Sequence, residues 1–252
     1  MARIRAADFD ERLTLVEHLD ELRTRLLISG GVLLLAAALC FWQNHLLLEI
    51  ADAPLDGRKL LTLSVGEPFI TTLTISFYGA ILLALPVILY QVYAFVLPAF
   101  APNEKKVMLP LLLMVPFLFI AGVVFAYYVV TPAAIDFLLN FNSDEFNIQV
   151  RAREYYSFFA LSLLSVGVLF QIPVGVLAVT RLGIVSPDQI AANRRYGFLG
   201  IAVLAMLLPG TDPVTMLISM VPLLILFEFS IILARAFGRQ REPSADLATD
   251  EG

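Results

Sequence analysis

Few residues in this 252-residue chain can do chemistry, and most of those are carboxylates outside its apolar stretches. Glu17 and Glu21 lie four apart, so on a helix they share one face. Glu104 is the one acid in the short polar turn Ala101-Pro102-Asn103-Glu104-Lys105-Lys106. Two readings are open for each site. Glu21 can pair with Arg25 at i,i+4, and Glu104 can be a first-turn acid behind an Asn103 cap. Alternatively, both carboxylates can receive an arginine-rich ligand. A guanidinium delivers two parallel hydrogen bonds to a carboxylate, which lysine cannot reproduce. Glu228, in Phe227-Glu228-Phe229, either faces Arg235 or water near a membrane end or forms a buried proton or ligand site. Cys40 is the only cysteine and there are two histidines, so neither a disulfide nor a clustered metal site is expected. No Gly-rich phosphate loop or nucleophile elbow is present, so the chain does not read as an enzyme and implies no cofactor. A net charge of −5 gives no broad basic surface for nucleic acid.

The elements that must position these groups are membrane spans. Hydrophobic residues make up 59% of the chain and charged ones 15%, against roughly 25% charged in a soluble domain. No charge occurs in residues 26–48, 68–103, 107–135 or 155–180. Each gap exceeds the roughly 20 residues that a helix needs to cross a bilayer. The expected architecture is an all-α integral membrane protein with six transmembrane helices in a concave bundle. A cytoplasmic amphipathic segment covers residues 1–25, with Leu15, Leu19, Leu22 and Leu26 as one stripe along the membrane surface. The six-helix domain covers 26–235, and a disordered acidic cytoplasmic tail covers 236–252.

Span one is read as 26–47, span two within 69–100 with a kink at Pro86, span three from 107 and span four as 155–179. Ser186-Pro187-Asp188 reads as a helix start. The breaker Pro209-Gly210-Thr211-Asp212-Pro213 splits the last apolar region into spans five and six. Both are expected to be short, about 21 and 22 Å of helix against a core of roughly 30 Å. That mismatch would thin the lipid along one edge, where a small partner could sit. With six spans, thirteen of the 17 Lys and Arg residues fall on the side of the two termini. The bias of basic residues toward the cytoplasm then places both termini inside. The charged first 25 residues do not read as a cleavable leader.

The string His18-Leu19-Asp20-Glu21-Leu22-Arg23-Thr24-Arg25-Leu26-Leu27 resembles the N-terminal signature of TatC, the receptor subunit of the twin-arginine protein translocase. Further matching strings follow in order: Pro54-Leu55, Glu67-Pro68-Phe69, Leu85-Pro86-Val87-Ile88-Leu89-Tyr90-Gln91, Phe125-Ala126-Tyr127-Tyr128, Phe170-Gln171-Ile172-Pro173, Asp212-Pro213 and Leu226-Phe227-Glu228. The resemblance implies that folded cargo is recognised by its twin-arginine signal peptide on the cytoplasmic face of the cell inner membrane. It implies assembly with small single-span Tat subunits of the TatA/TatB type, association between copies within the complex, and transport driven by the proton-motive force. The family's two signal-contacting glutamates fall on Glu21 and Glu104, with Arg23 and Phe95 near them. Span four carries Gln171 in the concave face, where the family has Glu or Gln, and a neutral amide is cheaper to bury than a carboxylate. Met206 and Asp212 fall where partner docking is expected. The competing class is a secondary transporter, which would need broken helices around a midplane site.

Overall fold

The structure, a computed structural model, describes residues 15–55, 57–96, 102–210 and 212–237. The side chains of residues 15–17, 96, 102–112 and 237 lie outside that description, as does most of the expected acidic tail. The described residues form α1 (Leu15–Trp42), α2 (Asn44–Asp52), α3 (Glu67–Val96), α4 (Pro102–Phe125), α5 (Thr131–Asn140), α6 (Ala152–Leu169), α7 (Ile172–Arg181), α8 (Pro187–Ala192), α9 (Arg194–Met206) and α10 (Pro213–Phe237). Among the described residues, five stretches are long and apolar enough to cross a membrane: His18–Trp42, Glu67–Phe95, Leu113–Asn140, Ala152–Arg181 and Pro213–Ala236.

α1 and α3 form an antiparallel pair. His18 meets Phe95, Arg25 meets Gln91, and Cys40 meets the backbone at Gly79. Small residues line the seam: Ala36 and Cys40 pack against Ala80 and Ala84. Without a hydrophobic drive between helices in lipid, close backbone approach of this kind supplies the dispersion contacts. α3 also packs on α6 and α4, α6 packs on α4, and α7 packs on α10, which holds α9. α4 and α6 cross where Gly122 faces Gly167. A Cβ on Gly122 would stand 2.9 Å from the Gly167 Cα and 2.8 Å from the Phe170 ring. Tyr155, Phe159, Leu163 and Val166 of α6, with Phe170 just past its end, carry the main apolar cluster. Half of the α6–α7 span is buried, against 11% for α1, so α1 is a peripheral helix attached mainly through α3.

The described part of the amphipathic segment leads into span one as one helix: α1 runs unbroken from Leu15 to Trp42, through residue 25. Good helix formers fill the junction, so nothing stops the helix there. Other expectations need correction. Span four is not one helix. It breaks at Phe170–Gln171 between α6 and α7, because Pro173 offers no N–H to the Leu169 carbonyl. Span three extends through a π-helical turn, Ala126–Val130, into α5. Here Pro132 removes the donor for Tyr128, and the Thr131 N–H reaches back five residues to the Ala126 carbonyl instead. α3 continues through Pro86 as one helix of 30 residues.

Span six is not short. α10 has 25 residues, about 38 Å at the helical rise, and it continues past Glu228. Glutamate is a good helix former, so the backbone has no reason to stop there, and Arg194 meets the carboxylate at 3.2 Å. Arg235, the expected partner, instead lies 3.4 Å from Asp188. α9 is short at 13 residues, roughly 20 Å. Ser186 begins α8 with a full capping box, its side chain accepting from the Gln189 N–H and its own N–H donating to the Gln189 side chain.

Candidate functional site

Antiparallel packing brings the start of α1 against the end of α3, and a polar cluster forms there from residues 66 positions apart. Arg25 Nε donates to Glu21 Oε1 at 3.0 Å, and Arg25 Nη2 donates to the same oxygen. Arg25 Nη1 donates across the seam to Gln91 Oε1 at 2.9 Å. On the other side of the carboxylate, His18 Nδ1 stands 3.9 Å from Glu21 Oε2, beyond hydrogen-bond range. The His18 ring stacks on Phe95, with centroids 4.2 Å apart and planes 16° from parallel. Glu21 and Arg25 are each 23% exposed in their side chains. The site is therefore a half-buried carboxylate with one oxygen engaged by Arg25 and the other without a hydrogen bond among the described residues, beside the His18–Phe95 stack.

Of the expected site residues, the structure brings Glu21 and Phe95 together. Arg23 is exposed on α1. Two residues from Glu21 means a turn of roughly 200°, so it does not share that face. Glu104 stands in the first turn of α4, which begins six residues after α3 ends, so its backbone lies at the same end of the bundle. Its side chain, like that of Glu17, falls outside the described residues. Sequence reasoning gives His18 and Gln91 no role in the site, and Arg25 only its pairing with Glu21. Gln91 lies within the string that begins at Leu85, but only the α1–α3 register connects it to Arg25.

Gln171 sits at the α6–α7 break and is 7% exposed. Its Nε2 donates to the Val115 carbonyl of α4 at 3.1 Å, while its Oε1 is buried without a hydrogen-bond partner among the described residues. Met206 and Asp212 line one cleft of about 280 Å³ between the end of α9 and the start of α10, with Met216 opposite. Met206 is exposed. Asp212 is buried and begins α10 as its cap. It accepts from the Thr215 N–H at 2.7 Å and from the Thr215 hydroxyl. At the far end of α9, Gly197 admits the Phe227 ring, since a Cβ there would lie 2.2 Å from the Phe227 Cζ. That close approach sets Arg194 beside Glu228.

The opposite end of the bundle holds a second acid–base centre that sequence reasoning does not single out. Glu67, the first residue of α3, is 3% exposed. Its Oε1 accepts from Arg151 Nε at 2.7 Å and its Oε2 from the Leu63 N–H at 2.7 Å. The same two loops are stitched by backbone: the Leu61 N–H donates to the Val150 carbonyl and the Ala152 N–H to the Leu61 carbonyl, each at 2.9 Å. The hydrogen bond to Glu67 raises the Arg151 guanidinium above its already high ordinary value. Tyr155 and Tyr156 donate to the Ala51 carbonyl (2.6 Å) and to Asp52 Oδ1 (2.8 Å), tying the end of α2 onto α6. Glu67 and Arg151 are 84 residues apart, so no local spacing announces the pair.

A sequence model of the family described as Sec-independent protein translocase protein (TatC) matches residues 17–222. The chain is 33% identical over 239 residues to the Sec-independent protein translocase protein TatC of Magnetococcus marinus, covering 93% of this chain and 88% of that one. It is 38% identical over 207 residues to the protein of the same description from Synechocystis, covering 82% of each. A crystal structure of the twin arginine translocase receptor TatC in DDM superimposes with a TM-score of 0.75 at 33% identity, covering 89% of this chain and all of that one.

Proposed function

The chain belongs to the TatC family of Sec-independent protein translocase proteins, and from that membership we propose that it is the receptor that binds twin-arginine signal peptides of folded cargo through Glu21 and Glu104. It is a multi-pass membrane protein of a transport machinery. The observation that carries the receptor reading is the gathering of Glu21, Gln91 and Phe95, with the backbone of Glu104, at one end of the bundle. Two carboxylates at one membrane surface suit a pair of adjacent guanidinium groups. Glu21 Oε2 accepts no hydrogen bond among the described residues, and Phe95 with His18 offers a flat apolar face for the residues that flank the arginines. Arg23 stands on the exposed side of α1, where it can meet the anionic lipid surface.

In this reading the site faces the cytoplasm, together with both termini and the tail, and six spans place them there. α9 counts as the fifth span although it is short, and it needs thinned lipid or a neighbouring helix at its side. The Met206–Asp212 cleft beside it is the proposed seat of a small single-span Tat subunit. Gln171, held to α4 at the α6–α7 break, lies in the concave face that cargo would pass, and transport draws on the proton-motive force. Association with further copies of the chain completes the complex in the inner membrane.

The test is binding of a labelled twin-arginine peptide to the purified protein in lipid nanodiscs, with a twin-lysine peptide as control. The arginine peptide binds preferentially, and the Glu21→Gln/Glu104→Gln double variant loses that preference while staying folded. Equal binding of both peptides to the unaltered protein overturns the receptor reading.

A further inference from the structure

Resting on that receptor reading, we propose that Arg25 is an internal stand-in for one arginine of the signal, engaging Glu21 before a signal binds and exchanging with the ligand's guanidinium. Arg25 directs two of its N–H groups at one oxygen of Glu21 and a third at Gln91 Oε1, 2.9 Å away on the facing helix. A forked arginine–carboxylate contact uses both carboxylate oxygens in parallel. With Oε1 taken, an incoming guanidinium is left with Oε2, which forms no hydrogen bond among the described residues and lies 3.9 Å from His18 Nδ1. Full engagement of the ligand therefore requires Arg25 to leave.

The surroundings make that departure easy. The pair is formed within one helix at i,i+4 between side chains that are each 23% exposed, near the start of α1. Contacts of this class are weak and screened by salt. Glu67 and Arg151 make the contrasting case, because a carboxylate that is 3% exposed has no water to exchange its partner with. Gln91 supplies the hold that an isolated i,i+4 pair lacks, since its carbonyl oxygen fixes the Arg25 fork in the orientation that faces Glu21.

Such a stand-in sharpens specificity. An arginine ligand recovers two hydrogen bonds on displacing Arg25, whereas a lysine offers one compact ammonium and cannot replace the fork. Arg25 thus sets a threshold that a guanidinium crosses and an ammonium does not. Its removal raises affinity for both peptides, and more for lysine.

Equilibrium binding of labelled twin-arginine and twin-lysine peptides to the full chain in nanodiscs tests this. Arg25→Gln is expected to bind the arginine peptide roughly two- to fivefold tighter and to gain more for the lysine peptide, so that discrimination narrows. Gln91→Leu shifts both in the same direction by less. Arg25→Lys keeps the charge and the stem but not the fork, and lies between; it also serves if Arg25→Gln does not fold. Weaker or unchanged arginine-peptide binding in Arg25→Gln and Arg25→Lys, with the unaltered protein still discriminating and Glu21→Gln still impaired, overturns the stand-in while leaving the receptor reading intact. Loss of discrimination in the unaltered protein overturns both.

Discussion

The two ends of the bundle carry the same pair of side chains in opposite settings. At one end Glu21 meets Arg25 within a single helix, each 23% exposed, with one carboxylate oxygen unbonded among the described residues. At the other, Glu67 meets Arg151 across 84 residues, buried at 3%, with both oxygens taken. The first arrangement is exchangeable and the second is fixed. A buried carboxylate stripped of its partner keeps its desolvation cost, whereas an exposed one recovers water. Chemistry that must turn over belongs at the first end, and the second end serves to clamp two long loops onto α6.

The sharpest way to break this contrast is Arg151→Leu, which leaves Glu67 buried beside an apolar side chain. The melting temperature of the purified protein should fall by roughly 5–10 °C, and the Leu61–Val150 backbone contacts should lose hydrogen-exchange protection. A melting temperature within a degree of the parent's would mean the pair is not the clamp. The corresponding change at the other end, Glu21→Gln, should leave unfolding almost unmoved. It should weaken signal-peptide binding about tenfold or more, in keeping with loss of a charge-assisted hydrogen bond. If Glu21→Gln lowers stability as far as Arg151→Leu does, the two ends are not different in kind.

A smaller effect separates the two residues of the α9–α10 cleft. Asp212→Ala removes the α10 cap and should cost about 1 kcal/mol of stability, read by chemical denaturation in detergent. Met206→Ala, at an exposed position, should cost almost nothing yet reduce crosslinking to a single-span partner introduced at that edge. Equal crosslinking in the parent and Met206→Ala would move the partner elsewhere. The smallest change in stability is expected for Gln171→Leu. It removes a buried Oε1 that has no hydrogen-bond partner along with the single bond to Val115, so the two contributions nearly cancel. Transport should fall more than signal binding in that variant, and full transport would make Gln171 a packing residue.

Features encoded by neighbours along the chain are legible in the sequence alone. Glu21 and Arg25 are four apart, Ser186 and Gln189 are three apart, and both pairs form as spacing requires. Asp212-Pro213 marks the start of α10. Sequence and structure diverge where local punctuation carries too much weight or too little. Glu228 reads as the end of an apolar run, but a charge does not stop a helical backbone, and α10 continues past it with Arg194 of α9 beside the carboxylate. Residue 25 reads as a boundary because charge stops there, though the backbone has no reason to break. Pro173, in contrast, is inconspicuous inside an apolar run, yet it separates α6 from α7.

By itself the sequence determined that the chain is helical and membrane-spanning, where most apolar runs lie, and which acids stay outside them. Hydrophobicity and helical periodicity are properties of contiguous residues, so they can be read one segment at a time. Only the tertiary structure decided that Gln91 holds Arg25, that His18 stacks on Phe95, that Arg194 rather than Arg235 serves Glu228, and that Arg151 closes on Glu67. Each of those contacts depends on which helices lie side by side and in what register. Here that register is set by small residues, Gly79 and Ala80 against α1, Gly122 against Gly167 and Gly197 against Phe227. In lipid no hydrophobic gain selects one helix face over another, so close backbone approach does the selecting, and it becomes visible only when both helices are in place.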